Sequence, residues 1–161
     1  MKKLIYTLLI ITAFTNNSFS ASTGSDSSTG TSDYTKAYNL IKAAKKYEKK
    51  GKTEKAKKRY TKAQKLLLKS NEKKPLQADT LNYLGFTTRK LGDYEGGEKF
   101  YLQGLQIEPN HNGINEYLGE LYVATNRMDM AKERLEILKT CNCEEFDELK
   151  EIIEGNKKSK Y

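Results

Sequence analysis

The chain has two cysteines, Cys141 and Cys143, which stand one residue apart in the stretch KTCNCEEF. In an oxidising compartment thiols pair, and in an extended turn the alpha carbons of residues i and i+2 can lie within the ~4.4–6.8 Å that a disulfide requires. We therefore predict a local disulfide that locks a turn near the C-terminus and adds little stability, because its loop is very small. Binding of Cu(I) or Zn²⁺ by the thiolate pair, redox exchange and an intermolecular bridge stay open as alternatives.

No other combination of residues matches a catalytic or cofactor-binding pattern. His111, the single histidine, lies in the turn PNHN, where a polar loop residue is the simpler interpretation. The sequence lacks the G-x-x-x-x-G-K-[ST] loop that binds phosphate. Carboxylates are plentiful towards the C-terminus, but their pattern is that of solvated helix faces. We predict no enzymatic activity, no cofactor and no resident metal.

The first twenty residues have the three-part order of an export signal. Lys2 and Lys3 precede an apolar run over 4–14, and a polar stretch that ends in Ser18-x-Ser20 follows. An apolar run of this length is too short to span a bilayer, whereas the order is that of a secretory signal peptide. We predict a signal peptide over 1–20, a flexible Ser/Thr/Gly linker over 21–33 and a periplasmic or secreted protein. A buried or anchoring N-terminal helix is the alternative.

The rest of the chain contains an internal repeat. Sliding the sequence by 34 residues aligns 81–100 with 115–134, and a shift of 41 residues brings 40–63 onto the same pattern. Each unit has the pattern of a helix, a tight turn and a second helix. Gly51, Gly92 and Asn126 stand where a first helix must end in a left-handed cap. The seven extra residues predict a longer second helix in the first unit.

Glycines within the predicted helices mark positions where helices approach closely. A glycine inside a helix costs roughly 1 kcal/mol relative to alanine, so each needs a packing reason. Gly85 and Gly97 occupy the positions where the two helices of one unit cross, and Gly104 faces the following unit. Alanine fills the matching positions of the first unit. Gly96 has no such explanation from the sequence.

These residues resemble the tetratricopeptide repeat. The signature is most complete in the middle unit, in Leu84-Gly85, Gly92-Asp93-Tyr94, Gly97, Tyr101, Gly104 and Pro109. The resemblance implies an all-α, tetratricopeptide-type α-solenoid over 34–156, with three helix-turn-helix repeats at about 37–70, 78–111 and 112–145. A helix over about 144–156, apolar on one face, is expected to cap the last repeat, and 157–161 form a basic tail. The ending is also similar to that of small secreted repeat proteins of Gram-negative bacteria.

Charge divides the chain into two parts of opposite sign. Residues 36–74 contain 16 Lys or Arg and 3 Asp or Glu, whereas 75–156 contain 8 and 16. This asymmetry favours an acidic partner at the first repeat or weak head-to-tail self-association. A polyanion or a membrane surface is an alternative ligand for the lysine-rich stretch 42–65. Lysine lacks the planar fork that recognises phosphate, and binding of nucleic acid is inconsistent with export.

The resemblance implies that a protein or extended peptide partner binds the concave surface made by the first helix of each repeat. The sequence lacks the set of Lys, Asn and Arg residues that clamps the C-terminal carboxylate of a peptide in chaperone-binding members of this family. Specificity for chain termini is therefore not predicted. We interpret the protein as a non-catalytic periplasmic interaction module; the alternatives are polyanion or membrane-surface binding and a metal or redox role of the cysteine pair. By register, the predicted partner-binding residues are Tyr38, Ile41, Lys42, Lys45, Lys49, Asp79, Asn82, Phe86, Arg89, Lys90, Glu116, Tyr117, Glu120 and Val123.

Overall fold

The structure, a computed structural model, describes residues 31–157, which form seven α-helices and no strand. Within these residues no helix is both long and apolar enough to cross a membrane. The predicted signal peptide and most of the predicted linker lie outside the described residues. The helices are α1 Asp33–Glu48, α2 Thr53–Lys73, α3 Ala78–Lys90, α4 Tyr94–Ile107, α5 Asn112–Ala124, α6 Met128–Leu138 and α7 Glu144–Ile153.

The helices form three hairpins in series, each packed on the next. α1 packs on α2, α3 on α4 and α5 on α6, while α2 contacts α3 and α4 contacts α5. α7 covers the end of the series, where it packs against α5 and α6. The 21 residues of α2 make it the longest helix described. This arrangement confirms the predicted all-α solenoid, the longer second helix of the first repeat and the capping helix.

The turns inside the hairpins share one cap geometry. Gly51, Gly92 and Asn126 have φ values of 66°, 102° and 59°, in the left-handed region that glycine and asparagine tolerate best. In each turn the next amide donates to the carbonyl five residues earlier, which is the longer bond of a Schellman cap. These bonds run from Lys52 to Tyr47, from Asp93 to Thr88 and from Arg127 to Tyr122. The predicted helix ends are therefore confirmed.

Small residues bring α3 and α4 together, as predicted. A β-carbon on Gly85 would lie 2.5 Å from the ring of Tyr101, which is fully buried. A β-carbon on Gly97 would lie 3.0 Å from the backbone oxygen of Gly85, and one on Gly104 would collide with Ile114 of α5. These three contacts explain why glycine occupies these helical positions.

Gly96, which the sequence left unexplained, is part of the N-terminal cap of α4. Its amide donates to the carboxylate of Asp93 at 2.8 Å, and a β-carbon at this position would contact that same carboxylate. Since Asp93 is exposed, its side chain has room to move. The contact therefore constrains this position far less than the helix crossing constrains Gly85.

Both ends of the predicted domain shift by a few residues. α1 begins at Asp33, one residue before the predicted boundary, and Ser32 accepts a hydrogen bond from the Thr35 amide as its N-cap. α7 ends at Ile153 rather than 156, because Gly155 turns the chain with a φ of 76°. Lys157, predicted to belong to the tail, lies 3.1 Å from the Glu148 carboxylate of α7.

The glycine positions give a matched pair of substitutions. We expect Gly85→Ala to lower the free energy of unfolding by about 1–3 kcal/mol, because overpacking against a buried ring forces the helices apart. Gly96→Ala should leave it unchanged or raise it by up to about 1 kcal/mol, because helix propensity is gained and Asp93 can rotate. Urea denaturation of both variants measures the difference. Equal destabilisation by the two would contradict our account of the helix crossing.

Candidate partner-binding site on the inner helix face

An aromatic cluster centred on Phe86 of α3 joins α2, α3 and α5. The ring of Phe86 lies 5.8 Å from the ring of Tyr60 and 5.0 Å from that of Tyr117 on α5. Lys45 reaches this cluster from α1, and its Nζ lies 4.6 Å from the centre of the Phe86 ring. The same ammonium donates a hydrogen bond to the Tyr117 hydroxyl at 3.0 Å. Cation–π attraction and this bond together tie the first repeat to the third.

Beneath the cluster lies a buried ion pair between α3 and α5. Arg89 donates from Nη1 to the backbone carbonyl of Tyr117 at 2.6 Å, and its Nη2 lies 3.4 Å from the Glu120 carboxylate. Both charged side chains are completely buried. Removing one partner of such a pair costs about 3–5 kcal/mol, because the other charge is left in a poorly solvated site. The pair therefore holds neighbouring repeats in one fixed arrangement.

A second ionic contact links the first and second repeats. Lys90 lies 2.7 Å from the Glu48 carboxylate, which also accepts a hydrogen bond from the Tyr60 hydroxyl at 2.8 Å. Gln64 of α2 donates to the Thr88 hydroxyl of α3 at 2.8 Å. Polar contacts of this kind have directional geometry, so they fix the register of adjacent repeats more sharply than apolar packing does.

Half of the predicted partner-binding residues are buried, which corrects the predicted binding surface. The most deeply buried of them fill the space between successive first helices and cannot touch a partner in this conformation. Asn82, Glu116 and Tyr117 are also buried, but they line the cavities described below. Their function in this structure is to pack the repeats and position the surface around them. The buried residues are Ile41, Asn82, Phe86, Arg89, Glu116, Tyr117 and Glu120.

The remaining predicted residues are at least partly accessible. Tyr38 is 37% exposed and packs edge-on against Tyr83 at 5.5 Å, with the Lys42 ammonium 5.3 Å from its ring. Lys49 lies at the C-terminal end of α1, and Asp79 lies in the first turn of α3. Of the other three, Lys45 and Val123 are half-buried, and the side chain of Lys90 is only 8% exposed. The structure thus places Tyr38, Lys42 and Asp79 on the accessible part of the inner surface.

Two adjacent cavities open beside these residues. The larger, of about 440 Å³, lies between α3 and α5 and includes Asp79, Asn82 and Tyr117 in its wall. The smaller, of about 230 Å³, lies between α1, α5 and α7. Sequence reasoning missed several lining residues. For Glu144 and Glu145 the reason is that acids at the start of a helix also fit an ordinary N-terminus. The missed residues are Tyr83, Glu108, Glu144, Glu145 and Glu148.

His111 has a structural role that its turn position did not reveal. Its Nδ1 accepts a hydrogen bond from the Ile114 amide at 3.2 Å, so it caps the N-terminus of α5. Its Nε2 lies 3.3 Å from the Asp79 carboxylate of the preceding repeat. Because Nδ1 acts as an acceptor, the proton belongs on Nε2, which donates to Asp79. The turn between the second and third repeats is held by this pair of bonds.

Three carboxylates cluster where α5 meets α7. Oxygen atoms of Glu116, Glu120 and Glu148 all lie within 4.8 Å of one another. Cations offset their charge: Arg89 lies 3.4 Å from Glu120, and Lys157 lies 3.1 Å from Glu148. The cluster therefore belongs to an ionic network that joins the capping helix to the last repeat.

The cysteine pair lies in the turn between α6 and α7. The two Sγ atoms of Cys141 and Cys143 are within bonding distance, and their Cα atoms are 5.2 Å apart, inside the range that a disulfide requires. Asn142 between them has a φ of 49°, which turns the chain so that the two side chains meet. The geometry fits the predicted bridge, which stays a prediction until the thiols are measured.

The tetratricopeptide repeat family model matches residues 78–111, the hairpin that the sequence marked as the most complete unit. This one hairpin is therefore similar to a tetratricopeptide repeat. The α1–α2 and α5–α6 hairpins extend this repeat on either side with the same turn geometry. No curated protein sequence matches the chain.

Several solved structures are similar to this chain at low sequence identity. SycD, a type III secretion translocator chaperone of Yersinia enterocolitica, is 16% identical with a TM-score of 0.52; the match covers 73% of this chain and 81% of SycD. A chain of the CopN–Scc3 complex is 17% identical with a TM-score of 0.50, over 83% of this chain and 80% of that one. The first repeat domain of Spaghetti (RPAP3), bound to an HSP90 peptide, is 21% identical with a TM-score of 0.48, over 78% and 96% of the two chains.

The buried tyrosines give a prediction about alkaline pH. Burial raises the pKa of Tyr60, Tyr83, Tyr101 and Tyr117 above the usual value, and raises the pKa of Tyr34 to about 12. The pKa of each tyrosine is higher in the folded state than in the unfolded state, where it is about 10. The neutral tyrosines therefore contribute their full stability below about pH 10, and this stability is lost as the pH rises towards the pKa values of the folded state. We expect these tyrosines to ionise together with loss of helix above about pH 10. Parallel tyrosinate absorbance and circular dichroism measure this; full ionisation with intact helices would contradict it.

The cysteine turn gives a separate prediction. Exported protein should contain no free thiol and no bound metal, and Cys141→Ser/Cys143→Ser should lower the free energy of unfolding by at most about 1–2 kcal/mol, because the closed loop is very small. Thiol titration in denaturant, metal analysis and urea unfolding test the three parts. Two reactive thiols, or one metal ion per chain, would instead support the redox or metal interpretation.

Proposed function

We propose that this protein is a non-catalytic interaction module that binds an extended peptide or a partner protein on its inner helix face. The observation that carries the proposal is the pair of adjacent cavities between α1, α3, α5 and α7. Their walls combine an aromatic ring, an amide and charged groups, and the exposed Tyr38 and Lys42 extend the surface towards α1. Such a mixture suits a polypeptide ligand, since aromatic side chains and polar groups together recognise both side chains and backbone.

Proteins that share the fold support this proposal through their described roles. SycD is a translocator chaperone, and the CopN–Scc3 structure is a complex of two proteins. At these identities the likeness concerns the fold alone, so neither partner is transferred to this chain. The accessible surface near Tyr38, Lys42 and Asp79 replaces the buried Phe86 and Arg89 as the part that meets a partner.

We further propose that the protein acts in the periplasm or outside the cell. The three-part order of residues 1–20 supports export. The Cα atoms of Cys141 and Cys143 are 5.2 Å apart, which allows a disulfide, and thiols so placed pair in an oxidising compartment. These two features are independent of each other, because one concerns targeting and the other concerns the folded C-terminal turn.

A second candidate function is binding of a polyanion or an anionic surface at the first repeat. Two shallow depressions beside Tyr47 are lined by basic side chains, and the Arg59 guanidinium lies 5.1 Å from the Tyr47 ring. The hydrogen bond and charge of Arg59 lower the pKa of the Tyr47 hydroxyl, which reflects a positive local potential. Binding through this face should weaken steeply as salt is added. The basic residues that line the depressions are Lys46, Lys50, Lys55, Lys58, Arg59 and Lys62.

Partner capture with matched surface variants tests the main proposal. We expect wild-type protein to recover specific partners from envelope extracts, and Tyr38→Ala/Asp79→Ala to recover them several-fold less, because both residues lie on the accessible inner surface. Tyr94→Ala/Asp129→Ala is the control, since it removes the same residue types from the outer helices; Tyr38 and Tyr94 are 37% and 38% exposed. Quantitative mass spectrometry measures the recovery. Equal recovery by all three forms would rule out the inner face as the binding surface.

A further inference from the structure

The two cavities of the inner face share a wall and have an acidic lining. Glu116, Tyr117 and Glu145 contribute to both, so the cavities form one cleft at the second and third repeats and the cap. One ammonium, that of Lys45, and one imidazole, that of His111, also line this cleft. The carboxylate residues of the lining are Asp79, Glu108, Glu116, Glu144, Glu145 and Glu148.

The cleft already holds one cationic side chain of this protein. The Lys45 ammonium lies 5.3 Å from the Tyr117 ring and 4.6 Å from the Phe86 ring, at the edge of the acidic lining. Burial, reinforced by the charge of Glu116, raises the pKa of the Tyr117 hydroxyl, which agrees with a negative potential in the cleft. Aromatic faces next to carboxylates are a favourable environment for an ammonium or a guanidinium group.

An independent feature of the larger cavity is the amide of Asn82. This residue is only 4% exposed and lines the cavity. Its side-chain oxygen is buried, and no hydrogen-bond donor of the described residues reaches it. A buried acceptor without a hydrogen bond is destabilising, so a ligand in the cavity that supplies an N–H group gains this bond when the Asn82 amide rotates towards it.

We propose that this acidic cleft binds an extended segment of a partner protein that carries lysine or arginine side chains. The inference rests on the proposed function and adds the chemistry of the partner. Cationic side chains of the segment pair with carboxylates such as Glu108 and Glu145, and a backbone N–H donates to the Asn82 oxygen. Complementary charge of this kind speeds association and excludes acidic competitors.

A second copy of this chain is a poorer occupant, although its first repeat is rich in lysine. Most of those lysines lie on α1 and α2, and the backbone N–H groups inside a helix are already bonded within it. The amides of Lys49, Lys50 and Lys52, in the turn between the two helices, also donate to backbone carbonyls. A helix therefore supplies charge to the cleft but no backbone donor to Asn82. An extended segment supplies both, which is why we assign the cleft to a partner rather than to self-association.

Fluorescence anisotropy with two capped, labelled peptides tests the inference on the full mature chain. One peptide alternates lysine and serine, and the other has glutamate in place of lysine. We expect the lysine peptide to bind, its affinity to fall as salt is raised, and the glutamate peptide to bind at least about tenfold more weakly because like charges repel. Comparable binding of both peptides, or indifference to salt, would overturn the inference.

Charge-matched variants locate the binding. Glu108→Gln/Glu145→Gln should bind the lysine peptide roughly tenfold more weakly, because two cleft carboxylates are lost. Glu95→Gln/Glu136→Gln, which changes the net charge equally on the outer helices α4 and α6, should bind like the wild type. Equal effects of the two double substitutions would mean that the peptide senses only the total charge, and would overturn the assignment to the cleft.

Two single variants separate binding from folding. Asn82→Leu should weaken lysine-peptide binding several-fold without lowering the thermal midpoint, because it removes a buried acceptor that has no donor among the described residues. Lys45→Gln should tighten binding, since a competing cation leaves the cleft, even if stability falls. Unchanged affinity in both variants would overturn the inference.

Sedimentation at the concentrations of the binding assay shows whether a second copy of this chain, rather than a partner protein, occupies the cleft. A dimer that dissociates in salt and is abolished by Glu108→Gln/Glu145→Gln would assign the cleft to a second copy and overturn our choice of occupant. Failure of the lysine peptide alongside retained, Tyr38-dependent partner capture would overturn the inference and leave the proposed function intact.

Discussion

The structure depends on how closely the helices of one hairpin approach each other. At the crossing of α3 and α4, Gly85 contacts the buried ring of Tyr101 and Gly97 lies against the Gly85 carbonyl, so any β-carbon would separate the helices. Close approach lets the first helices of successive repeats stand side by side on one face. The inner surface, its cavities and the ion pairs between repeats all follow from that spacing.

In the third repeat, the glycine at the corresponding position contacts a different helix. Gly119 corresponds to Gly85, but a β-carbon there would meet Leu149 of the capping helix instead of a ring in its own hairpin. Leu149 is fully buried, so the cap is packed into the repeat and is part of the core. An end repeat cannot bury its apolar face alone, and α7 completes it with a side chain that fits where glycine leaves room.

Some charged residues of the inner face stabilise the fold, and others are accessible to a ligand. Arg89 and Glu120 are completely buried and tie α3 to α5, whereas Asp79 and Glu108 lie at the surface. Buried pairs of this kind fix geometry at a high desolvation cost, and surface carboxylates remain able to meet solvent or a ligand. The negative charge of the second and third repeats and the cap is therefore not spread evenly over their surface. Several of the acidic side chains lie together in the cleft of the inner face.

The sequence alone determined the helices, their turns and the order of the hairpins, because these follow from local rules. Left-handed caps need glycine or asparagine, as at Gly51, Gly92 and Asn126, and the 34-residue spacing fixed the repeat. The tertiary structure decided which inner residues are accessible. Helical register gives the direction of Phe86 and Arg89, but their burial depends on Lys45 and Tyr117, which are distant in sequence and meet only after three hairpins have stacked. The acidic cleft could not be predicted for the same reason. Side chains of α3, α5 and α7 form its wall, and no local sequence pattern sets the distances between these helices.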